Sequence, residues 1–287
     1  MKTIITLTII SILLAGCIAK EIPQKIFEIV KPIKMKKVEW KEIFSLINLD
    51  KDYVAQGIEI YKDYLLFTVH KLDKKSVLLV FNIKETGELI HLFSTDFPRI
   101  ATHVSDLSIY KDILYAIDYA SNNLYIINID KTIQEKKLVV INKIQTNLLK
   151  SGSIIVSNYK KEKMLFISQF IISNKISTYK FDHIDIEKKK PYIDIDAKYY
   201  IQGLYQKGNT VLVSSNKYGI DPIFIINKKE MLENKSINIP STLAITSPGK
   251  MVEDIVIFND FIITSDEENN KLYISKNKIQ EILSRDN

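Results

Sequence analysis

Five short apolar stretches recur at nearly even spacing along this chain, and a repeat of that length leaves few folds open. Aligned on their central residues they read Gln56-Gly57-Ile58-Glu59-Ile60-Tyr61, Asp106-Leu107-Ser108-Ile109-Tyr110, Gln202-Gly203-Leu204-Tyr205-Gln206 and Asp254-Ile255-Val256-Ile257-Phe258, with a weaker copy at Gly152-Ser153-Ile154-Ile155-Val156. The anchors Ile58, Leu107, Ile154, Leu204 and Ile255 are therefore 49, 47, 50 and 51 residues apart. Each copy is followed by a polar turn and a longer apolar run: Tyr61-Lys62-Asp63, Tyr110-Lys111-Asp112, Tyr159 to Glu162, Lys207-Gly208-Asn209 and Phe258-Asn259-Asp260. Short strands at about ten-residue spacing, with no sustained capped helical pattern, define an all-β chain.

A period of about 40–50 residues holding several strands is the mark of propeller blades, each of which buries its two sheet faces only by stacking on its neighbours. In the second unit the strands are Leu107 to Tyr110, Ile113 to Asp118, Asn123 to Ile129 and Lys137 to Ile141, four per blade. From residue 38 to 287 the chain resembles β-propeller proteins. It lacks the Trp-Asp ends of WD repeats and the Asp-box of sialidases. The repeat predicts five blades, with a sixth left open if one copy has diverged past recognition. Trp40 to Leu46, left over before the first unit, is expected to close the ring by joining the sheet of the last one. Glycine is scarce, 8 in the chain, so the turns are expected to be made by Asn, Asp and Lys, with Asn and Asp, which tolerate left-handed backbone, replacing glycine.

Before the repeats stands a different signal. Lys2, an apolar run from Thr3 to Leu14 and the small residues Ala15 and Gly16 have the pattern of a secretory signal peptide. Leu14-Ala15-Gly16-Cys17 resembles the lipobox of prokaryotic lipoproteins, and Cys17 is the chain's sole cysteine. The resemblance implies acylation of Cys17, cleavage before it, and a lipid anchor on the extracytoplasmic side of the cell membrane or outer membrane. The apolar run falls short of the ~20 residues that span a bilayer, whereas two acyl chains anchor a protein stably. Removal of residues 1–16 leaves roughly 270 residues. Of these, 17–37, with Pro23 and Pro32 bracketing a short apolar stretch, read as a tether outside the core.

Hydrophobic residues at 46% and charged residues at 26% describe a globular chain. The net charge of +6 comes from short lysine runs spread along the whole length, such as Lys74-Lys75, Lys136-Lys137 and Lys188 to Lys190. A nucleic-acid binder would gather such residues with aromatics on one face; here they read as solvated turns, and nucleic acid is not an expected partner.

In a propeller of this chain order, the starts of the inner strands and the ends of the second strands meet around one mouth of the axial channel. The inner starts supply Gln56, His103, Asp106, Ser151, Ser153, Gln202, Glu253 and Asp254. The second-strand ends supply His70, Asp118, Tyr119, Gln169, Ser215, Asn216, Asp266 and Glu267. We take Gln56, His103, Asp106, Asp118, Gln202, Glu253, Asp254 and Asp266 as candidate binding residues, because polar groups converging in a concavity are the default site. Each has a plainer reading. The glutamines can satisfy backbone near the axis, the aspartates can cap turns, and His103 is either a base oriented by Asp106 or a hydrogen-bonded histidine. Glu253, Asp254 and Asp266 carry the oxygens calcium prefers, without a spacing that fixes a site, so no cofactor is assigned. His91 and His183 fall in outer parts of their units. No nucleophile elbow, zinc-protease motif or phosphate loop is present. Two functions fit: a propeller that binds a protein, peptide or glycan at its channel face, or a hydrolase, lactonase or cyclotransferase-like enzyme using the acidic residues there.

Overall fold

The computed structural model describes residues 34–284, apart from 72–74, 147, 149, 170–173, 182–190, 198 and 217–220. The apolar leader, Cys17, the stretch between Pro23 and Pro32, and His183 lie outside the described residues. Among the described residues twenty strands form five four-stranded antiparallel sheets. Blade 1 holds β2 (Tyr53–Tyr61), β3 (Tyr64–Lys71), β4 (Lys75–Ile83) and β5 (Leu89–Asp96). Blade 2 holds β6 (Val104–Tyr110), β7 (Ile113–Asp118), β8 (Asn123–Asn128) and β9 (Val140–Gln145). Blade 3 holds β10 (Ser151–Tyr159), β11 (Glu162–Gln169), β12 (Lys175–Lys180) and β13 (Ile193–Asp196). Blade 4 holds β14 (Tyr200–Lys207), β15 (Thr210–Asn216), β16 (Ile223–Asn227) and β17 (Leu243–Ile245). Blade 5 is made of β18 (Val252–Phe258), β19 (Phe261–Asp266) and β20 (Lys271–Ser275), and its fourth strand is β1 (Trp40–Ser45), from the other end of the domain.

The pairing of β1 with β20, Trp40 opposite Ser275 and Ser45 opposite Lys271, closes the ring. The molecule is thus a five-bladed β-propeller. Backbone contact with it begins at Lys36, whose N–H donates to Ala244 O at 2.8 Å and whose carbonyl accepts from Thr246 N at 3.0 Å.

Strand residues are buried on both faces, and the two-residue period decides which neighbour each one packs against. In blade 1, Leu65, Phe67, Val77, Leu79 and Phe81 join Val256, Ile263 and Leu272 of blade 5. Alternate residues Leu66, Leu78 and Val80 join Leu107, Leu114 and Tyr125 of blade 2. That is why the strands read as near-continuous apolar runs.

The inner strands β2, β6, β10, β14 and β18 succeed one another around the axis, and each carries a register shift near its start: Ala55/Ile58, Val104/Asp106, Ser151/Ser153, Ile201/Gly203 and Val252/Ile255. The five anchors follow directly on these bulges and are buried.

Two local readings differ from the sequence-based expectation. The left-handed backbone at the first three inner hairpins falls on lysine, at Lys62 (φ 54°), Lys111 (φ 52°), Lys160 (φ 48°) and Lys161 (φ 68°), with Asn259 and Asp260 serving blade 5. Each of the first three turns begins with Tyr-Lys, and the lysine ammonium folds back over the tyrosine ring, at 4.5, 5.5 and 5.3 Å from the ring centre for Lys62, Lys111 and Lys160. An exposed cation–π contact of about 0.5–1 kcal/mol offsets much of the about 1–2 kcal/mol that left-handed backbone costs an L-residue. The chain also forms short helices after third strands: α1 (Ile129–Glu135), α2 (Lys228–Asn234) and α3 (Ile279–Ser284). The side chains of Asn128 and Asn227 cap the first two, and α1 moves the outer strand of blade 2 from the expected 137–141 to Val140–Gln145.

Candidate active or binding site at the channel mouth

An inner strand has no sheet partner on its axial side, so its edge N–H groups need other acceptors. Two carboxyls meet that need at the middle of the channel. Asp254 accepts from Ile255 N and Ile58 N, each at 2.7 Å. Asp106 accepts from Leu107 N at 2.5 Å and Ile154 N at 2.8 Å, and from the backbone of Leu204. The amides of all five repeat anchors therefore end on one pair of aspartates. The two carboxyls also hydrogen-bond to each other, which requires a proton between them. Burial, then the neighbouring carboxyl, raises Asp254 well above the usual range, and burial pushes Asp106 up to about 8. The geometry also fixes two glycines. A Cβ at Gly57 would stand 2.7 Å from Asp106 Cα, and one at Gly203 would stand 2.6 Å from Asp254 Cα.

Beyond this plug, toward the strand starts, lies a cavity of about 180 Å³ lined by His103, Ser105, Tyr119, Gly152, Gln202, Met251, Glu253 and Glu267. Four blades contribute. The bulges explain how: the extra residue breaks the alternation, so consecutive side chains turn axially. Glu253 faces the cavity while Asp254, next to it, serves the plug. Gln202 Nε2 donates to Glu253 Oε1 at 2.9 Å. Burial, followed by a hydrogen bond to Glu267, raises Glu253 well above the usual carboxylate range. On the opposite wall His103 stacks on His70 with ring centres 4.5 Å apart and meets Tyr119 at 5.0 Å. Burial and then His70 push His103 down to about 4, which keeps its imidazole neutral.

The candidates thus separate by role. His103, Gln202 and Glu253 line the cavity. Asp106 and Asp254 belong to the plug, so His103 has no orienting base in Asp106, whose oxygens are taken by backbone. Asp118 accepts from His103 N at 2.8 Å and Ser121 N at 2.9 Å and closes the turn after β7. Asp266 does the same after β19, accepting from Glu268 N at 3.1 Å and Asn269 Nδ2 at 2.6 Å. Gln56 occupies the bulge of blade 1, with Nε2 turned to its own strand at Ala55 O, 2.5 Å away. Ser105, Met251 and Asp221 were not among the residues singled out from the sequence. Asp221 sits in the loop before β16, outside the strands that the repeat aligns. Among the described residues, no group of three or more His, Cys, Asp or Glu is arranged to hold a metal ion, and none of their helices is long and apolar enough to cross a membrane.

The other mouth is also concave. A cavity of about 200 Å³ there is lined by Glu59, Ser108, Tyr205 and Asn158 among others. Glu59 accepts from Ile60 N and Ile109 N, and Ser108 Oγ from Val156 N, continuing the satisfaction of axial edges.

The fold and this axial architecture define the class, a five-bladed propeller with a polar channel mouth. Among solved structures the chain resembles the glutaminyl cyclase of Myxococcus xanthus, at TM-score 0.58 and 9% identity over 85% of this chain and 98% of that one. It also matches a chain of a nidogen–laminin complex (TM-score 0.48, 10% identity, 78% and 76% covered) and the Dos1 propeller (TM-score 0.41, 13% identity, 80% and 60% covered). At these identities the likeness is one of fold. No protein-family model matches the chain. No curated protein matches it either.

Proposed function

We propose that the protein is an exported lipoprotein, held by acyl chains on Cys17 at the extracytoplasmic face of the cell membrane or outer membrane. Its propeller binds a protein, peptide or glycan at the mouth formed by the strand starts. The observation that carries this reading is the cavity that His103, Ser105, Gln202, Glu253 and Glu267 line from separate blades. At about 180 Å³ it takes a single protruding group, a side chain, a chain end or one sugar unit, and not a whole ligand. Two measurements test it. Palmitate labelling and detergent-phase partition of the wild type should both be lost in Cys17→Ala. Peptide and glycan arrays probed with the detergent-solubilised protein should show binding that Glu253→Gln abolishes; arrays that stay blank, or hits that survive the substitution, refute the site.

One observation favours the enzymatic alternative. Glu253, in a cavity and beside the amide of Gln202, is raised well above the usual carboxylate range, the direction a general acid needs. The Myxococcus protein, which shares the fold, is a glutaminyl cyclase by name. A cyclotransferase-like reaction, in which an amine attacks an amide and ammonia leaves, needs such an acid at the leaving nitrogen. Incubation with peptides bearing N-terminal glutamine, and with an ester and lactone panel, decides between the two. Turnover that Glu253→Gln removes supports catalysis, and inertness on all of them leaves the binding function.

A further inference from the structure

The mouth is rich in acceptors, and the side-chain donors at its bulges are spent. Gln202 Nε2 is committed to Glu253, and Ser105 Oγ donates to backbone at Ile117 O or Ser151 O, 3.4 and 3.3 Å away. What remains at the bulges are oxygens. The residues at four of the five bulges, Ser105, Gly152, Gln202 and Glu253, line the cavity, and Gln56 occupies the fifth equivalent place. It is 1% exposed, and its Oε1 accepts no hydrogen bond. Because its Nε2 is fixed on Ala55 O, the free atom is the acceptor. Beside Glu253 and Glu267 stands Asp221, 6% exposed, with neither carboxylate oxygen hydrogen-bonded. It feels the charges of Asp266 and Glu268, and Glu253 feels its charge in turn. Lys250 pairs with Glu268 at 3.9 Å on the exposed side.

An environment of buried, unanswered acceptors is incomplete as it stands, since each such group costs free energy until a donor arrives. A metal ion would answer charge, yet the carboxyls are not arranged as a metal's ligands. Tyr119 and the neutral His103 on the facing wall suit an organic cation, which profits from an aromatic surface. Lys150 already places its ammonium 5.8 Å from the Tyr119 ring centre at the rim.

We infer that the group this mouth reads is an alkylammonium, received by Glu253 and Glu267, with the charge of Asp221 reaching Glu253. This rests on the site proposed above and names the chemistry of its ligand. The ammonium can be a peptide N-terminus, a lysine side chain or a free amine.

Calorimetric titration of the full-length protein in detergent tests it. The probes are butylammonium, 1,4-diaminobutane, glycylglycine amide with a free or acetylated N-terminus, Nα-acetyl-lysine amide, 1-butanol as the neutral isostere, and calcium chloride. Expected is saturable binding of at least one ammonium probe below about 10 mM, none of 1-butanol, and a loss of at least about tenfold in Glu253→Gln and in Asp221→Asn. Glu42→Gln, on the outer strand, should bind like wild type, and circular dichroism checks that all variants are folded. Which probe binds identifies the source of the ammonium. The inference is overturned if no ammonium binds, if acetylation leaves the affinity unchanged, if the folded variants bind undiminished, or if calcium displaces the amine at lower concentration. Should array ligands without an amine bind in a Glu253-dependent way, the site stands and the ammonium reading alone falls; should nothing bind, both fall.

Discussion

The aspartate pair on the axis gives the protein a pH response opposite to that of most folds. Asp106 and Asp254 are fully buried and share a proton that neither keeps in the unfolded chain, where both titrate near 3.8. A carboxyl whose folded pKa is raised contributes stability that is complete below the unfolded value and is lost as pH climbs toward the folded one, here about 8 for Asp106. The window from about pH 6.5 to 8 displays the effect. There His103, pushed down to about 4, is neutral in the folded chain, while its unfolded form is half-protonated at pH 6.5 and, by losing that proton, offsets about 0.4 kcal/mol of the trend. Lys228, pushed down to about 8 by burial, begins to add slope only at the upper edge, where its sign is the reverse. One shared proton then costs about 1.4 kcal/mol per pH unit, or about 2 kcal/mol over the window. For a domain of this size that is about 4–8 °C in melting temperature. Glu59, also pushed to about 8, adds to the same trend.

Asp254→Asn separates this proton from the others. The amide donates to Asp106 as the acid does but does not titrate. It leaves one of the N–H groups of Ile58 and Ile255 without its oxygen, at about 1–3 kcal/mol. The variant should therefore be less stable than wild type at pH 6.5, and its melting temperature should fall by about 4–8 °C less on the way to pH 8. Thermal scans by circular dichroism at four pH values suffice. A wild-type curve that is flat or rises across the window, or a variant that falls in parallel with it, refutes the shared proton.

Other substitutions probe the same architecture. Gly203→Ala sets a Cβ 2.4 Å from Asp254 Oδ1 and 2.7 Å from Glu253 O, where backbone cannot yield; urea denaturation should show a loss of about 3 kcal/mol or more. Gly208→Ala, at φ 60° with open space around it, should lose only about 1–2 kcal/mol in the same assay. Lys111→Ala keeps the left-handed strain and drops the contact with Tyr110 and should lose about 0.5–1 kcal/mol, while Lys111→Gly, which drops both, should stay near wild type. Phe44→Ala removes the ring that meets Phe81 edge-on at 4.9 Å and should weaken the closure of the ring by about 2–3 kcal/mol, read as an earlier midpoint in urea.

The repeat carries the fold in plain sight, because Ile58, Leu107, Ile154, Leu204 and Ile255 must each fill the same place around the axis. Trp40 to Ser45 is legible for a related reason: a strand-like stretch outside the repeat has one open edge to join. The helices escape notice because seven residues are too few for a periodicity, although Ile126-Ile127-Asn128 and Ile225-Ile226-Asn227 stand before α1 and α2 as a repeated capping signal. The lysine turns escape because the rule that assigns left-handed backbone to Asn and Asp treats side chains singly, while here a preceding tyrosine changes the balance.

The site is harder to read for a reason rooted in the bulges. Sequence alignment marks which residues begin the inner strands, but one inserted residue decides whether a side chain faces the cavity or the next blade. Glu253 and Asp254 are adjacent acids and do different work. Asp254 supplies oxygens to backbone amides of blades 5 and 1, and Asp106 to those of blades 2, 3 and 4. Two acids, each directly before its anchor in two of the five repeats, thus answer a demand that all five share. Once the plug has taken them, the acids left over have no backbone to serve. Glu253, Glu267 and Asp221 are held beside the cavity without the backbone amide donors that stabilise Asp106 and Asp254. The propeller satisfies its own axis with two carboxyls, and those it cannot satisfy internally mark the place where a donor from outside is received.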